Sequence, residues 1–205
     1  MIQATYIRLV QEYGVSAQDV QALWAEIHRH YTHSKRHYHN LDHLEDLLIQ
    51  LTSVKDRIDN WPVILFTLYY HDIIYKSTKK NNEAKSADLA SLRMNELSVS
   101  SPEIQLCYEQ ILATKAHTVS TNSDTNYFTD ADLSILGRVP DEYDQYCQKI
   151  RKEYSIYPMF LYKKGRKKVV EHFLSMKRIY KTEEFFSKFE EQARHNLIRE
   201  LITLK

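Results

Sequence analysis

The residues most able to do chemistry are histidines and aspartates in three separate stretches. His71-Asp72 follows the apolar run from Pro62 to Tyr70. An imidazole and a carboxylate at the end of a run that passes through a core must be hydrogen-bonded, ion-paired or bound to a metal, because buried polar groups are otherwise costly. His39 and His43 stand four apart, which puts two side chains on one face if both are helical. Such a pair can hold one metal ion, as in the H-E-x-x-H zinc proteases. Asn40 stands where that motif follows its first histidine with a glutamate base, which argues against protease chemistry. The rival reading of these histidines is a cap or a polar core residue. Asp130-Ala-Asp132 adds two carboxylates that a helix would point in nearly opposite directions. One is expected to face the centre, the other to cap a helix or face solvent.

The chain that must position these groups has 205 residues, 43% of them hydrophobic. It is read as a single domain, 1–205, with no dividing linker. Its 28 basic and 27 acidic residues nearly cancel, so bulk charge calls for neither nucleic acid nor membrane as a partner. Three glycines and four prolines argue against glycine-rich phosphate loops and for long helices. The fifteen tyrosines are expected to pack at the edge of the core. Cys107 and Cys147 form neither a C-x-x-C pair nor a disulfide framework. The N-terminus lacks signal-peptide order, and no apolar run approaches the ~20 residues of a membrane span. A cytoplasmic protein is the expectation.

Helical spacing recurs along the chain, and the fold class expected is all-α, a compact multi-helix bundle. Tyr6, Leu9, Val10 and Tyr13 precede Gly14, which reads as a stop. Ser16 reads as an N-cap for a helix carrying Val20, Leu23, Trp24, Ile27 and Tyr31. Leu44, Leu47, Leu48 and Leu51 form the apolar face of the histidine helix, and Asn60-Trp-Pro62 starts the core helix. Glu83 to Leu97 and the stretch after Ser101-Pro-Glu103 are helical. Thr118 to Asn126, rich in Ser, Thr, Asn and Asp, reads as a loop. A short helix ending at Gly137, one opening at Pro140 and a last one capped by Thr182 complete the chain.

The order of these motifs resembles the HD superfamily of metal-dependent phosphohydrolases, whose ligands run His, His-Asp, Asp on separate helices. The fuller pattern looks like an uncharacterised bacterial branch of it. The matching stretches are His37-Tyr-His-Asn-Leu41, Tyr70-His-Asp-Ile-Ile-Tyr75, Asn82-Glu-Ala-Lys-Ser-Ala87, Ala113-Thr-Lys-Ala-His117 and Asp130-Ala-Asp-Leu-Ser-Ile-Leu-Gly137. Tyr162-Lys-Lys-Gly-Arg166 and Glu191-Gln-Ala-Arg-His-Asn196 extend the likeness. By position the resemblance implies His39, His71, Asp72 and Asp132 as metal ligands. Some members carry an acidic residue soon after the doublet, whereas Ile73-Ile-Tyr75 follows here. The proton-handling candidates are therefore Glu83 and His117.

His43, Lys115 and Arg166 are the candidates for holding substrate. Arg166 stands in the dense basic cluster 163–168, and its fork can meet a phosphate in two places. A mixed set of imidazoles and carboxylates suits Mn²⁺, Fe²⁺, Zn²⁺, Co²⁺ or Ni²⁺ better than Mg²⁺, with the identity open. The expected activity is hydrolysis of a small phosphoester, nucleotides included, with a homo-oligomer left open. The rival is a non-catalytic, metal-containing HD-like domain that binds a nucleotide or a protein.

Overall fold

The computed structural model describes residues 1–204. Among these residues it is all-helical, with ten α-helices, two short 3₁₀ segments and no strand. No helix among them is long and apolar enough to cross a membrane. The chain forms two compact units, Met1–Thr129 and the remainder from Asp130 onward.

The first unit contains α1 (Ile2–Gln11), α2 (Ala17–Tyr31), α3 (Leu41–Ser53), α4 (Trp61–Tyr70), α5 (Asn82–Glu96), α6 (Ser101–Ala113) and most of α7 (Ser123–Asp132). Its centre is α4. Every residue from Val63 to Tyr70 is buried, and a helix that is apolar on all sides belongs inside. It packs against α1, α3, α5 and α6. Each fully buried Leu, Ile or Phe of such a helix contributes roughly 1.5–3 kcal/mol. The one hydroxyl in its middle, Thr67, donates to Gln110 Oε1 at 2.6 Å.

Three helix starts follow from their capping residues. Ser16 Oγ accepts the Asp19 N–H at 3.2 Å. Asn40 Oδ1 accepts the N–H groups of Asp42 and His43 at 3.0 and 3.3 Å. Asn60 Oδ1 accepts the Val63 N–H at 3.1 Å, with Pro62 in the first turn. Such caps satisfy donors that the helix leaves open.

Two expectations are corrected here. Tyr6, Tyr69 and Tyr70 are fully buried rather than at the core edge. Their hydroxyls remain satisfied inside: Tyr6 and Tyr70 share a hydrogen bond at 2.8 Å, and Tyr69 donates to the Ile2 carbonyl at 2.7 Å. Burial pushes all three phenols above their ordinary pKa. Secondly, the loop expected through Asn126 ends earlier, because α7 begins at Ser123. Its polar residues are helix-start chemistry. Asn122 Oδ1 accepts the Thr125 N–H at 2.9 Å. The Asp124 carboxylate accepts the N–H groups of Asp59 and Asn60 at 2.9 and 2.8 Å, fastening the start of α7 to the start of α4.

The second unit holds the end of α7, a 3₁₀ segment (Leu133–Gly137), α8 (Pro140–Glu153), α9 (Met159–Ser175) and α10 (Glu183–Thr203). The 3₁₀ segment lies against α10 so closely that a Cβ at Gly137 would sit 2.5 Å from the Phe189 Cβ. Asn196 on α10 donates to the carbonyls of Leu136 and Arg138 at 2.9 and 2.8 Å. The Asp130 carboxylate accepts both the N–H and the hydroxyl of Thr182, at 2.7 and 2.8 Å. Asp130 is thus the carboxylate of the 130/132 pair that fixes a helix start, since Thr182 precedes α10.

The basic cluster 163–168 lies within α9. Arg166 turns inward and its fork engages Glu200, at 2.8 and 3.0 Å. This corrects its reading as a substrate-holding residue: the bidentate partner is a carboxylate of the same unit, and the side chain is buried.

Candidate metal centre

His71 stands at the C-terminal end of α4, its backbone N–H still bonded to the Thr67 carbonyl at 2.8 Å. Its ring Nδ1 donates to the Leu68 carbonyl at 2.9 Å. A carbonyl only accepts, so Nδ1 carries the hydrogen, and Nε2 is the ring nitrogen left to meet a metal. That Nε2 lies 3.3 Å from His43 Nε2 and 3.4 Å from Asp72 Oδ2. The ring is held edge-on to Phe128 with centroids 5.5 Å apart. The donor atoms are therefore aimed by a buried helix end and a fixed tautomer.

His43 comes from the first turn of α3, and Asp132 is the last residue of α7. Donor atoms of His43, His71 and Asp132 all lie within 4.8 Å of one another, with both histidines buried and Asp132 half-buried. Ligand bonds of ~2.0–2.2 Å put donors around one ion roughly 3–4.5 Å apart, so this group fits a divalent metal with little adjustment. The Nδ1-to-carbonyl bond of His71 is also the outer-shell contact that metal-binding histidines usually make. The group mixes nitrogen and oxygen, which suits a transition metal or zinc over an all-oxygen ion.

His39 lies before α3, because Asn40 caps that helix. The 39/43 pair therefore does not share a helical face. His39 instead stacks on Tyr75 with centroids 4.1 Å apart, and its Nε2 lies 3.8 Å from Asp72 Oδ2. Of the four residues expected as ligands, His71 and Asp132 belong to the close donor group. Asp72 and His39 stand beside it, and His43, expected at the substrate, occupies the third position. The signal for this was in the sequence: Asn40 three residues before His43 marks the helix start and moves His39 out of it.

Burial acts to raise the Asp72 pKa, but His71, His39 and His43 around it outweigh that effect and hold the carboxyl well below its ordinary range. The anion is thus held among three imidazoles.

The remaining candidates sit elsewhere in the first unit. Glu83 lies in the first turn of α5, and Lys115 Nζ comes within 4.0 Å of it while donating to the Lys80 carbonyl at 3.0 Å. Ser86 of the same helix bonds the Ile74 N–H at 3.1 Å, and Asn82 bonds Lys76. The start of α5 is therefore fastened to the segment that follows His71-Asp72. His117 follows α6 in a left-handed backbone conformation, φ 51°. The close donor group contains neither Glu83 nor His117.

Comparison of the chain with protein-family models, curated proteins and solved structures finds no match. The reading of the site therefore rests on its own residues.

Proposed function

We propose that the chain is a metal-dependent phosphohydrolase of the HD type, with His43, His71 and Asp132 as metal donors and Asp72 and His39 beside them. The observation that carries this is the convergence of two imidazole nitrogens and a carboxylate oxygen within 4.8 Å, from α3, the end of α4 and the end of α7. A divalent ion held there would act as a Lewis acid on a phosphoryl oxygen and make water a better nucleophile. Asp72 keeps its charge because its pKa is depressed. That suits it to holding charge and orienting donors rather than to taking up a proton, since a general base works best with a pKa near the operating pH. Glu83 and His117 are then the proton-handling residues, and Lys115 beside Glu83 supplies positive charge for the phosphate. The substrate class is a small phosphoester, nucleotides among them.

A second reading, a metal-containing domain that binds without hydrolysing, draws on the stretch Ile73-Ile-Tyr75, which has no acidic group where some hydrolases of this type carry one. One experiment separates the two. Purified protein is analysed for metal, then assayed for phosphate release from nucleotides, sugar phosphates and an artificial phosphoester. The hydrolase reading expects release that Asp132→Ala abolishes together with the metal. It expects Glu83→Gln or His117→Ala to lower turnover by about 10²–10⁴-fold with metal retained. Metal-replete protein that is silent on every substrate supports the binding domain instead.

A further inference from the structure

We infer that Arg36 is a positioning residue of the metal centre, holding the loop before α3 against the turn after α4; this rests on the metal reading above. The guanidinium makes three hydrogen bonds to backbone carbonyls. Nη1 donates to Asp72 O at 2.7 Å and to His39 O at 3.1 Å, and Nη2 donates to Ile73 O at 2.7 Å. One planar group therefore ties the residue preceding the Asn40 cap to the two residues that follow His71. Asp72 and Ile73 lie 36 and 37 positions beyond Arg36 in sequence.

The faces of the guanidinium are used as well as its edge. It lies 4.8 Å from the centroid of Tyr31 and 5.7 Å from that of Tyr75. Tyr75 in turn stacks on the His39 ring. Arg36 thus fixes His39 twice, through its carbonyl and through the tyrosine under its ring. It also fixes the backbone of Asp72, whose carboxylate reaches both His39 and His71. A cation is favoured at this place because carbonyls near the end of a helix carry its negative pole, and α4 ends at Tyr70. Lysine offers the same charge without the planar fork, so it cannot bridge three carbonyls in fixed directions.

The test uses the full chain as wild type, Arg36→Lys, Arg36→Ala and a control, Arg93→Ala. Arg93 bonds Glu26 and Glu96 in the same unit and touches none of the histidines named above. Zinc affinity is measured by competition with a chromogenic chelator. Amide hydrogen exchange is followed on the metal-free protein over residues 37–43 and 70–76. Both Arg36 variants should bind zinc about 10–100-fold more weakly, the usual effect of losing a group that orients ligands, while Arg93→Ala stays within about threefold of wild type. Exchange should rise in both segments together in the Arg36 variants. Wild-type affinity in Arg36→Lys, equal losses in Arg36→Ala and Arg93→Ala, or faster exchange in one segment alone would overturn the inference. Wild-type protein that takes up no zinc removes the metal centre as well, whereas intact wild-type binding with indifferent Arg36 variants removes this inference only.

Discussion

Both units bury charged and polar side chains, but one cluster of the first is built differently from those of the second. In the second unit the buried groups answer one another. Arg166 meets Glu200 in two places, Tyr143 also donates to Glu200, and Glu190 accepts the N–H groups of Ile179 and Tyr180. Asp130 takes its hydrogen bonds from Lys181 and Thr182. At the end of α4 the pattern reverses. Two imidazole nitrogens face one another at 3.3 Å, with an anionic Asp72 alongside. Donor and acceptor are matched in the first case, so the cluster explains itself as architecture. In the second, atoms that can each bind a metal come together from separate segments, which is an arrangement a cation fits. A buried polar cluster points to function when its members converge on one place as well as on one another.

The largest effect that would test this contrast comes from the matched cluster. Arg166→Ala leaves Glu200 buried without its cation, and breaking a buried pair in this way costs about 3–5 kcal/mol. Urea unfolding should show that loss, while zinc bound per folded chain stays at the wild-type level. A fall in metal affinity matching that of a ligand variant would erase the distinction between the clusters.

The converse experiment removes a member of the converging set. His43→Ala should weaken zinc by more than the ~100-fold that marks the upper end of outer-shell changes. Equilibrium dialysis against a metal buffer measures it. A His43→Ala protein that binds zinc as well as His39→Ala does would reassign the third donor to the loop before α3.

A smaller effect sharpens the comparison inside the first unit itself. Glu26 and Arg93 form a matched pair at 2.8 Å. Hydrogen bonds from Arg93 lower the Glu26 pKa against the opposing effect of burial. A depressed carboxyl pKa stabilises the fold above the unfolded-state value, near pH 4.3 for Glu, and that contribution fades as pH falls through the folded value. The stability difference between wild type and Glu26→Gln, measured by urea unfolding, should be about 1 kcal/mol at pH 7, allowing for partial exposure, and should shrink towards pH 3. A difference that grows on acidification would contradict the assignment.

How much of this was legible in the sequence depends on the range of the interaction. The all-α class, the caps at Ser16 and Asn60 and the buried run of α4 follow from neighbours within a turn or two. So does the place of His71-Asp72 at the end of that run. The place of His39 is also local: a spacing of four shares a face with His43 only if both are helical, and Asn40 starts the helix after His39. What could not be read lies across the chain. Arg166 sits in a basic run that looks solvated, and only Glu200, 34 positions later, turns it inward. Arg36 carries no motif, since its partners are backbone carbonyls, which every residue possesses. The polar stretch before α7 has loop composition, and its helical character depends on Asp124 reaching back to Asn60.

That last contact makes α4 and α7 two arms measured from one origin. Asp124 fastens the beginnings of both helices together, His71 ends one arm and Asp132 the other. Each residue advances a helix by about 1.5 Å and turns it by about 100°. Adding or deleting a single residue within either arm would therefore swing its terminal donor to another side, even if the helix itself survived. The polar connection that follows His117 and leads to α7 bears no such dimension. Related chains that keep this chemistry should vary freely in length there while holding the count between Asn60 and His71, and between Asp124 and Asp132, as fixed as the donors themselves.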